Sequence, residues 1–212
     1  KDDVVLEGNY LIVKNQRVRV ISGGEPGSIP WDALEADVVI DATGRFLTRD
    51  KLALHLDSGA KRVLLTRNPK DDLDRYVIPG INESEISLKD KIISTTSSTT
   101  QVLALMIKML DESFGLKRAM MTTVHAYTAD QPLADVAGSD LRRSRSAVEN
   151  IIPNTSLSPS LVEKIMPQYQ GKIEGIAFNV PVPNGSCVDL TTELANTPSV
   201  DEANGAIKKF SE

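Results

Sequence analysis

The sequence has few of the residues that build disulfide and metal sites. Its 212 residues include one cysteine, Cys187, and two histidines, His55 and His125. One cysteine excludes an internal disulfide framework and fits a reducing compartment, so we expect a cytoplasmic protein. Neither Cys-x-x-Cys nor His-Glu-x-x-His occurs, and two histidines cannot form a metal site by themselves, so we predict no metal. Cys187 lies in an apolar stretch, and we expect it to be buried and structural.

Other absences exclude further classes of protein. No apolar run approaches the roughly 18 residues of a membrane helix, and Lys1-Asp2-Asp3 is neither typical of a signal peptide nor a natural start. A net charge of −5 argues against general binding to nucleic acid or to anionic membranes. The hydrophobic share of 41% and charged share of 25% are typical of a globular protein, and the length allows one or two domains.

No Gly-x-Gly-x-x-Gly fingerprint is present, yet the first half predicts a βαβ unit. Residues 37–44 are an apolar run that ends in small residues, which is typical of a buried parallel strand. A helix follows from the N-cap Thr48 to Asp57, and a second buried strand covers residues 62–66. Ligands of such sheets lie at the carboxyl ends of the strands, here near Thr43-Gly44 and Thr66-Arg67.

Shorter elements surround this unit. A hairpin is predicted around Asn15-Gln16, and further short strands are predicted at residues 78–82 and 91–94. Residues 1–97 therefore predict part of a doubly wound α/β sheet.

The second half has a different pattern. A helix is predicted over residues 98–112, with Ser98 and Gln101 as a capping box and an apolar face of Val102, Leu105, Met106, Met109 and Leu110. A long strand, 118–128, and a polar loop, 129–144, come next. Two strands, 172–182 and 186–194, flank a Pro-Asn-Gly turn and predict an antiparallel pair. A second capping box, Ser199 to Glu202, opens a helix that ends near Phe210. This change near residue 97 places a domain boundary between 1–97 and 98–212.

Three features suggest chemistry, and each has a structural alternative. The hydroxyls of residues 97–100 at a helix N-terminus suit an anion, although a plain N-cap accounts for them equally. His125, in a threonine-rich strand, suits a general base, although most strand histidines are only hydrogen-bonded. The cluster of Arg142, Arg143 and Arg145 suits a phosphate, although a solvated or subunit-contact loop explains it as well.

Taken together, these segments resemble glyceraldehyde-3-phosphate dehydrogenase and its relative erythrose-4-phosphate dehydrogenase. The similarity covers essentially the whole chain, with the segments in order and at the right spacing. The densest matches are residues 121–128, 140–147, 150–153, 171–184 and 188–190, and weaker matches are residues 29–31 and 41–44. The resemblance implies an incomplete Rossmann-type NAD(P)-binding domain at 1–97. It also implies, at 98–212, part of an α+β catalytic domain with a mixed, largely antiparallel sheet.

The resemblance also implies a function and a site. In this family a cysteine thiolate at a helix N-terminus attacks a phosphorylated aldehyde, hydride passes to NAD or NADP, and phosphate releases the acyl group. A histidine on the next strand keeps the thiolate ionised, and its match here is His125. Matching phosphate-binding positions are Ser97, Thr99, Thr128, Arg145 and Ser156. Matching cofactor positions are Thr43, Gly44 and Thr66. The family implies a homotetramer, or a mixed oligomer with a paralogue, and the arginine loop resembles one that lines cofactor sites across a subunit contact.

The sequence departs from this family where the chemistry is done. Ser98 stands at the nucleophile position, Leu157 replaces a glycine that approaches phosphate, and Asn179 replaces an arginine that binds the substrate phosphate. We therefore expect a diverged family member with little phosphorylating activity. Two alternatives stay open: an enzyme that uses Ser98 and His125 on another aldehyde or an ester, and an ordinary family enzyme carrying an inactivating change.

The family's N-terminal Gly-rich loop and its C-terminal returning helix have no match in these residues. We expect a longer parent chain, because half of a doubly wound sheet exposes a long apolar edge.

Overall fold

The computed structural model describes residues 4–211, and its first sheet is a small antiparallel one. It comprises β1 (Val5–Glu7), β2 (Tyr10–Val13) and β3 (Gln16–Arg19) in that order. The hairpin turn lies at Lys14-Asn15, with φ of 47° and 66°, one residue before the predicted Asn15-Gln16. A two-residue turn of this kind needs positive φ at both central residues, and asparagine tolerates that conformation well.

The second sheet is parallel throughout and confirms the predicted βαβ unit. Its strands are β4 (Val38–Asp41), β5 (Arg62–Leu65), β6 (Arg75–Tyr76) and β7 (Ile92–Ser94), in the order β4-β5-β7-β6. The crossover helix α1 (Arg49–Asp57) connects β4 to β5 and packs on β5 and β7. The core of this part contains Phe46, Leu52, Val63, Leu65, Leu73 and Ile92.

The strand predicted at residues 78–82 is not formed. The Asn82 amide accepts from Ile78 N–H at 3.0 Å and donates to the Tyr76 carbonyl at 2.9 Å, which folds this segment into a turn. Pro79 has no N–H to give to a ladder and Gly80 has φ of 82°, so the strand ends earlier, at Tyr76.

The third sheet is mixed and forms the frame of the second half. Its elements are α2 (Ser98–Phe114), β8 (Leu116–Ala126), β9 (Ile152–Thr155), α3 (Ser158–Ile165), β10 (Ile173–Val180), β11 (Ser186–Leu194) and α4 (Val200–Phe210). The strand order is β11-β8-β10-β9, with β10 parallel to β8 and the other two pairs antiparallel. This agrees with the predicted mixed, largely antiparallel sheet, and α4 starts at the predicted capping box of Ser199 and Glu202.

The predicted antiparallel pairing of β10 with β11 is wrong, because β8 lies between them. Their five-residue connection passes over the end of β8, where Ala126 N–H donates to the Gly185 carbonyl at 3.0 Å. The sequence also gave no prediction of β9 or of α3.

The buried face of α2 differs from the predicted face. Leu103, Ala104 and Ile107 are fully buried against Met121 and Val162, whereas Val102 is 43% exposed. The predicted Met109 is buried as expected. Within residues 4–211, no helix has the length and apolarity required to cross a membrane.

Candidate active site

The predicted cofactor residues lie together at the carboxyl ends of β4 and β5. Asp41, the last residue of β4, is buried, and its Oδ1 accepts from Thr43 N at 2.9 Å and from Thr43 Oγ1 at 2.7 Å. Thr66, just beyond β5, donates to the Asp41 carbonyl through its N–H at 3.1 Å and through Oγ1 at 3.3 Å. The two strand ends are thus tied to one carboxylate residue, beside Gly44.

Arg67, which was predicted to lie near the ligand edge of this sheet but not to bind the cofactor, lies over Gly44. Gly44 has φ of +68°, and a Cβ built there falls 2.6 Å from Arg67 Nη1. In the described part of the chain, the Arg67 guanidinium forms no salt bridge, so a cation is available at the ligand edge of the sheet. Its place directly after a buried strand, next to Thr66, predicted its location at this edge, but the sequence did not indicate its contact with Gly44.

His55 contacts the buried Asp41 carboxylate at this edge of the sheet. Trp31 Nε1 donates to His55 Nδ1 at 3.0 Å, and His55 Nε2 faces Asp41 Oδ2 at 3.5 Å. Because Nδ1 accepts a hydrogen bond, the ring proton is on Nε2, toward the carboxylate. His55 therefore orients Asp41.

The N-terminus of α2 carries the predicted hydroxyl cluster, with a corrected cap. The N-cap is Ser97, whose Oγ accepts from Thr100 N–H at 3.2 Å, and Ser98 is the first helical residue. The predicted capping box of Ser98 and Gln101 is wrong, since Gln101 Nε2 donates to the Thr95 carbonyl at 2.7 Å. Thr96, just before the cap, is buried with φ of 62°, a strained conformation typical of functional sites.

A chain of hydroxyls fixes this cap to α3. Thr100 Oγ1 donates to Ser158 Oγ at 3.0 Å, so its other hydroxyl contact, at 2.8 Å, is donated by Ser97 Oγ. A hydroxyl has one hydrogen, which sets this direction. The Ser97 hydroxyl therefore both donates and accepts a hydrogen bond within the structure of the cap.

Ser98 and His125 line one pocket of about 250 Å³. The pocket lies between α2, β8 and the start of β11, and it has an apolar wall beside its polar groups. Its lining residues are Ser98, Thr99, Val102, Met106, His125, Ser186, Cys187 and Val188. The structure thus brings together three of the predicted site residues, Ser98, Thr99 and His125. Ser98 and His125 make no hydrogen bond to each other, as judged over the described chain.

Cys187 is exposed, which corrects the prediction that it is buried. It lies on β11, a strand at the edge of the sheet, where side chains alternate between the core and solvent. Val188 and Leu190 are partly buried against the core, whereas Cys187 is exposed where it lines the pocket.

His125 is bonded within its own strand. Thr123 Oγ1 and His125 Nε2 are 2.7 Å apart, and the same Oγ1 donates to the Cys187 carbonyl at 3.3 Å. Asn179 lies beside His125 in the parallel β8–β10 register. Its amide is used within the sheet, donating to the Ala126 carbonyl at 3.3 Å and accepting from Asn154 Nδ2 at 3.4 Å.

Two of the three arginines in the loop are paired with carboxylates. Arg145 pairs with Asp135 at 3.0 Å, and Arg143 pairs with Asp130 at 2.9 Å. Thr128 Oγ1 also donates to the Asp130 carboxylate. The Thr128 hydroxyl, followed by Arg143, holds the pKa of Asp130 below its ordinary value. Neither Thr128 nor Arg145 lines the pocket of Ser98 and His125.

Ser156, the remaining predicted phosphate position, lies just before α3. Its Oγ accepts from Ser158 N–H at 3.3 Å, and the neighbouring Leu157 is 53% exposed. Like Ser97, it is engaged by the backbone of this helix start and is absent from the lining of the pocket.

A parallel sheet with a βαβ crossover, followed by an α+β part with a helix-terminal hydroxyl and a strand histidine, is the architecture of a Rossmann-type dehydrogenase. The sequence model described as "Glyceraldehyde 3-phosphate dehydrogenase, C-terminal domain" matches residues 97–212, and that of the NAD binding domain matches residues 1–49. The chain belongs to the glyceraldehyde-3-phosphate dehydrogenase family.

Curated relatives agree with this assignment. Glyceraldehyde-3-phosphate dehydrogenase 2 of Streptomyces avermitilis is 40% identical over 213 residues, covering 100% of this chain and 63% of its own length. The Mycobacterium tuberculosis glyceraldehyde-3-phosphate dehydrogenase is 41% identical over 212 residues, covering 99% and 62%. That of Geobacillus stearothermophilus is 40% identical over 211 residues, covering 99% and 63%. The chain therefore spans somewhat less than two thirds of the length of these relatives.

Proposed function

We propose that this protein is a glyceraldehyde-3-phosphate dehydrogenase-like protein whose phosphorylating aldehyde dehydrogenase activity is lost or strongly reduced. The observation that carries the proposal is the relation between Ser98 and His125. Both line one pocket, yet they share no hydrogen bond within residues 4–211, and His125 Nε2 is bonded to Thr123 instead.

The chemistry of the nucleophile explains why this matters. A thiol with a pKa near 8.5 is lowered into the thiolate range by a helix N-terminus and a histidine. An aliphatic hydroxyl ionises at far higher pH, so it needs a base aligned with it as the reaction proceeds. Ser98 has the helix N-terminus but not the aligned base.

Binding of a substrate phosphate is weakened as well. Asn179 is neutral, and its amide is already used by Ala126 and Asn154. Loss of a hydrogen bond to a charged group costs about 1.5–3 kcal/mol. Leu157, with a bulky side chain where the family has glycine, adds a second obstacle to phosphate. Efficient turnover of a phosphorylated small aldehyde is therefore not expected.

The strand-end residues fit a dinucleotide cofactor, NAD or NADP. Thr43, Gly44 and Thr66 would hold it, because Gly44 presents backbone without a side chain and the Arg67 cation suits its phosphates. Such a cofactor supplies a nicotinamide ring that accepts hydride. The remaining family properties, a cytoplasmic location and a homotetramer or mixed oligomer with an active paralogue, are part of the same proposal.

The test is formation of reduced cofactor by the purified protein with glyceraldehyde-3-phosphate, inorganic phosphate and either NAD or NADP. Erythrose-4-phosphate is the second substrate to try. The parent protein is compared with Ser98→Cys, and Ser186→Cys serves as control because it adds a thiol to the same pocket away from the helix N-terminus. We expect no detectable turnover by the parent protein and none by Ser186→Cys, and only weak turnover by Ser98→Cys, because Asn179 and Leu157 still weaken binding of the substrate phosphate.

The activities of the parent protein and of its variants together separate the alternatives. Strong activity of Ser98→Cys alone identifies an ordinary dehydrogenase seen as an inactive variant. Activity of the parent that disappears in Ser98→Ala identifies a Ser98/His125 enzyme with an altered substrate, and overturns the proposal. Inactivity of parent and variants alike supports a protein that acts by binding or assembly.

A further inference from the structure

We propose that Thr123 is a positioning residue for His125: it fixes the imidazole as the tautomer with its proton on Nε2 and keeps that nitrogen from Ser98. The proposal rests on the proposed function only in taking His125 as the histidine of the site. It deepens that function by naming the group that separates the base from the hydroxyl.

The direction of the hydrogen bonds follows from counting hydrogens. Thr123 Oγ1 contacts both the Cys187 carbonyl, at 3.3 Å, and His125 Nε2, at 2.7 Å. A carbonyl oxygen only accepts, so the single hydroxyl hydrogen is donated to Cys187. The lone pair of Oγ1 then accepts from Nε2, which must carry the ring proton. In the neutral ring the other nitrogen, Nδ1, then carries the lone pair.

Within residues 4–211, Thr123 Oγ1 has no hydrogen-bond partner other than His125 and the Cys187 carbonyl. The residue is 1% exposed, so water does not replace its contacts. Its neighbours in register are Ala177 on β10 and Val188 on β11, and neither side chain forms hydrogen bonds. Thr123 and His125 are two residues apart on one strand, so their side chains share the face that packs toward α2.

This arrangement has a direct consequence for Ser98. A general base toward Ser98 needs an unprotonated nitrogen within hydrogen-bonding distance of its hydroxyl. Nε2 is protonated and committed to Thr123, so Ser98 is not activated through Nε2 while this bond persists. Removing the threonine hydroxyl releases that nitrogen without touching the pocket residues themselves.

The test is the ¹⁵N NMR spectrum of histidine-labelled protein at neutral pH, without substrate or cofactor. With two histidines in the chain, His55→Gln or His125→Gln assigns the signals. We expect the His125 signals of the parent protein to be those of the Nε2–H tautomer. In Thr123→Val the ratio of the two tautomers should shift toward Nδ1–H by about fivefold to tenfold, the worth of one hydrogen bond. Thr123→Ser, which keeps the hydroxyl, should restore the parent spectrum.

Thr122→Val is the matched control, because Thr122 lies on the opposite face of β8 and should leave the His125 signals unchanged. A parent spectrum with the proton on Nδ1, or with both nitrogens protonated, would overturn the proposal. So would an unchanged tautomer ratio in folded Thr123→Val. If that variant does not fold, the parent and Thr123→Ser spectra decide. These spectra are independent of turnover, so dehydrogenase activity in the parent would overturn the proposed function and leave this tautomer assignment standing.

Discussion

Tyr169 donates a 2.7 Å hydrogen bond to Asp111 Oδ2 and so ties the segment after α3 to the last turn of α2. The other carboxylate oxygen of Asp111 accepts from Leu116 N–H at 2.7 Å, where β8 begins. One carboxylate therefore joins three elements around the buried core of the second half.

Tyr169→Phe should lower the free energy of unfolding by about 1.5–3 kcal/mol, because a buried bond to a charged acceptor is lost. Urea unfolding followed by circular dichroism measures it. Tyr127→Phe is the control, since the Tyr127 hydroxyl makes no hydrogen bond in the described chain, and it should change stability by less than about 0.5 kcal/mol. Equal losses in both variants would contradict the assigned role of Asp111.

The same pair predicts a pH dependence. Burial, followed by the Asp111 carboxylate, raises the pKa of Tyr169 above its ordinary value of 10.0. Above that pH the unfolded chain releases the tyrosine proton while the folded protein retains it, so stability falls as pH rises. Tyr169→Phe should show a shallower loss between pH 10 and 11 than the parent protein. A parallel loss in both would rule out Tyr169 as a source of the alkaline instability.

Asp74 should stabilise the parallel sheet in neutral solution and lose this effect in acid. It accepts from the N–H groups of Lys91 and Ile92, both at 2.8 Å, and pairs with Arg49 at 2.8 Å. Burial acts to raise the pKa of Asp74, but these hydrogen bonds and the cation together lower it below 3.8. Its contribution is present above that pH and is lost as pH falls through the lowered pKa.

Asp74→Asn should therefore cost about 1–3 kcal/mol at pH 7, and the gap to the parent protein should narrow below pH 4. Thermal unfolding at a series of pH values measures both effects. Asp57→Asn, at an exposed position on α1, is the control and should have the same stability as the parent protein at every pH. A gap that stays constant down to pH 2 would exclude titration of Asp74 as the cause.

Gly44→Ala should destabilise the protein by about 1–2 kcal/mol, because its φ of +68° strains any residue with a side chain. The Arg67 guanidinium is flexible and can move aside, so Gly44→Ala combined with Arg67→Ala should lose as much as the single variant. Chemical unfolding compares the two. Recovery of stability in the double variant would show that the contact with Arg67, rather than the backbone, sets the cost.

Gly205→Ala should stabilise the protein, in contrast to Gly44→Ala. Gly205 lies inside α4, and a Cβ built there meets nothing within 4 Å. Alanine in a helix interior is favoured over glycine by about 0.5–1 kcal/mol, so the unfolding midpoint should rise. A lower midpoint would show that Gly205 does not have helical backbone conformation in α4.

Asn179→Arg should increase activity only when a thiol nucleophile is present at position 98. Added to Ser98→Cys, it should raise kcat/KM for glyceraldehyde-3-phosphate by about tenfold to a hundredfold, the worth of a charged phosphate contact. Asn179→Lys in the same background supplies charge without the bidentate fork and should give less. No gain from either cation would show that residue 179 does not face the substrate phosphate.

The sequence predicted those elements that local patterns determine. The capping box of Ser199 and Glu202 and the run from Val38 to Asp41 involve neighbours along the chain, so their structure can be inferred from spacing. Likewise, Thr43, Gly44 and Thr66 were expected at strand ends, and strand ends of a parallel sheet lie at one edge.

The errors came from contacts between distant segments. The insertion of β8 between β10 and β11 is a long-range event, and Pro183-Asn184-Gly185 looks the same in a hairpin and in a connection that passes over a strand. The sequence predicts Ser98 as the N-cap because either of two adjacent hydroxyls suits that role, and only the bonds of Ser97 to Thr100 distinguish Ser97 from Ser98. The contact of Thr123 with His125 depends on the rotamers of two side chains, which no sequence pattern specifies.

The central place of β8 has a consequence for how the pocket meets a ligand. Backbone with hydrogen-bonded neighbours on both sides opens only when much of the domain opens, so its amides should be among the slowest to exchange with solvent. His125 is thus carried by one of the most rigid parts of the molecule. Differences in ligand binding would then be set by the side chains that line the pocket around this fixed strand.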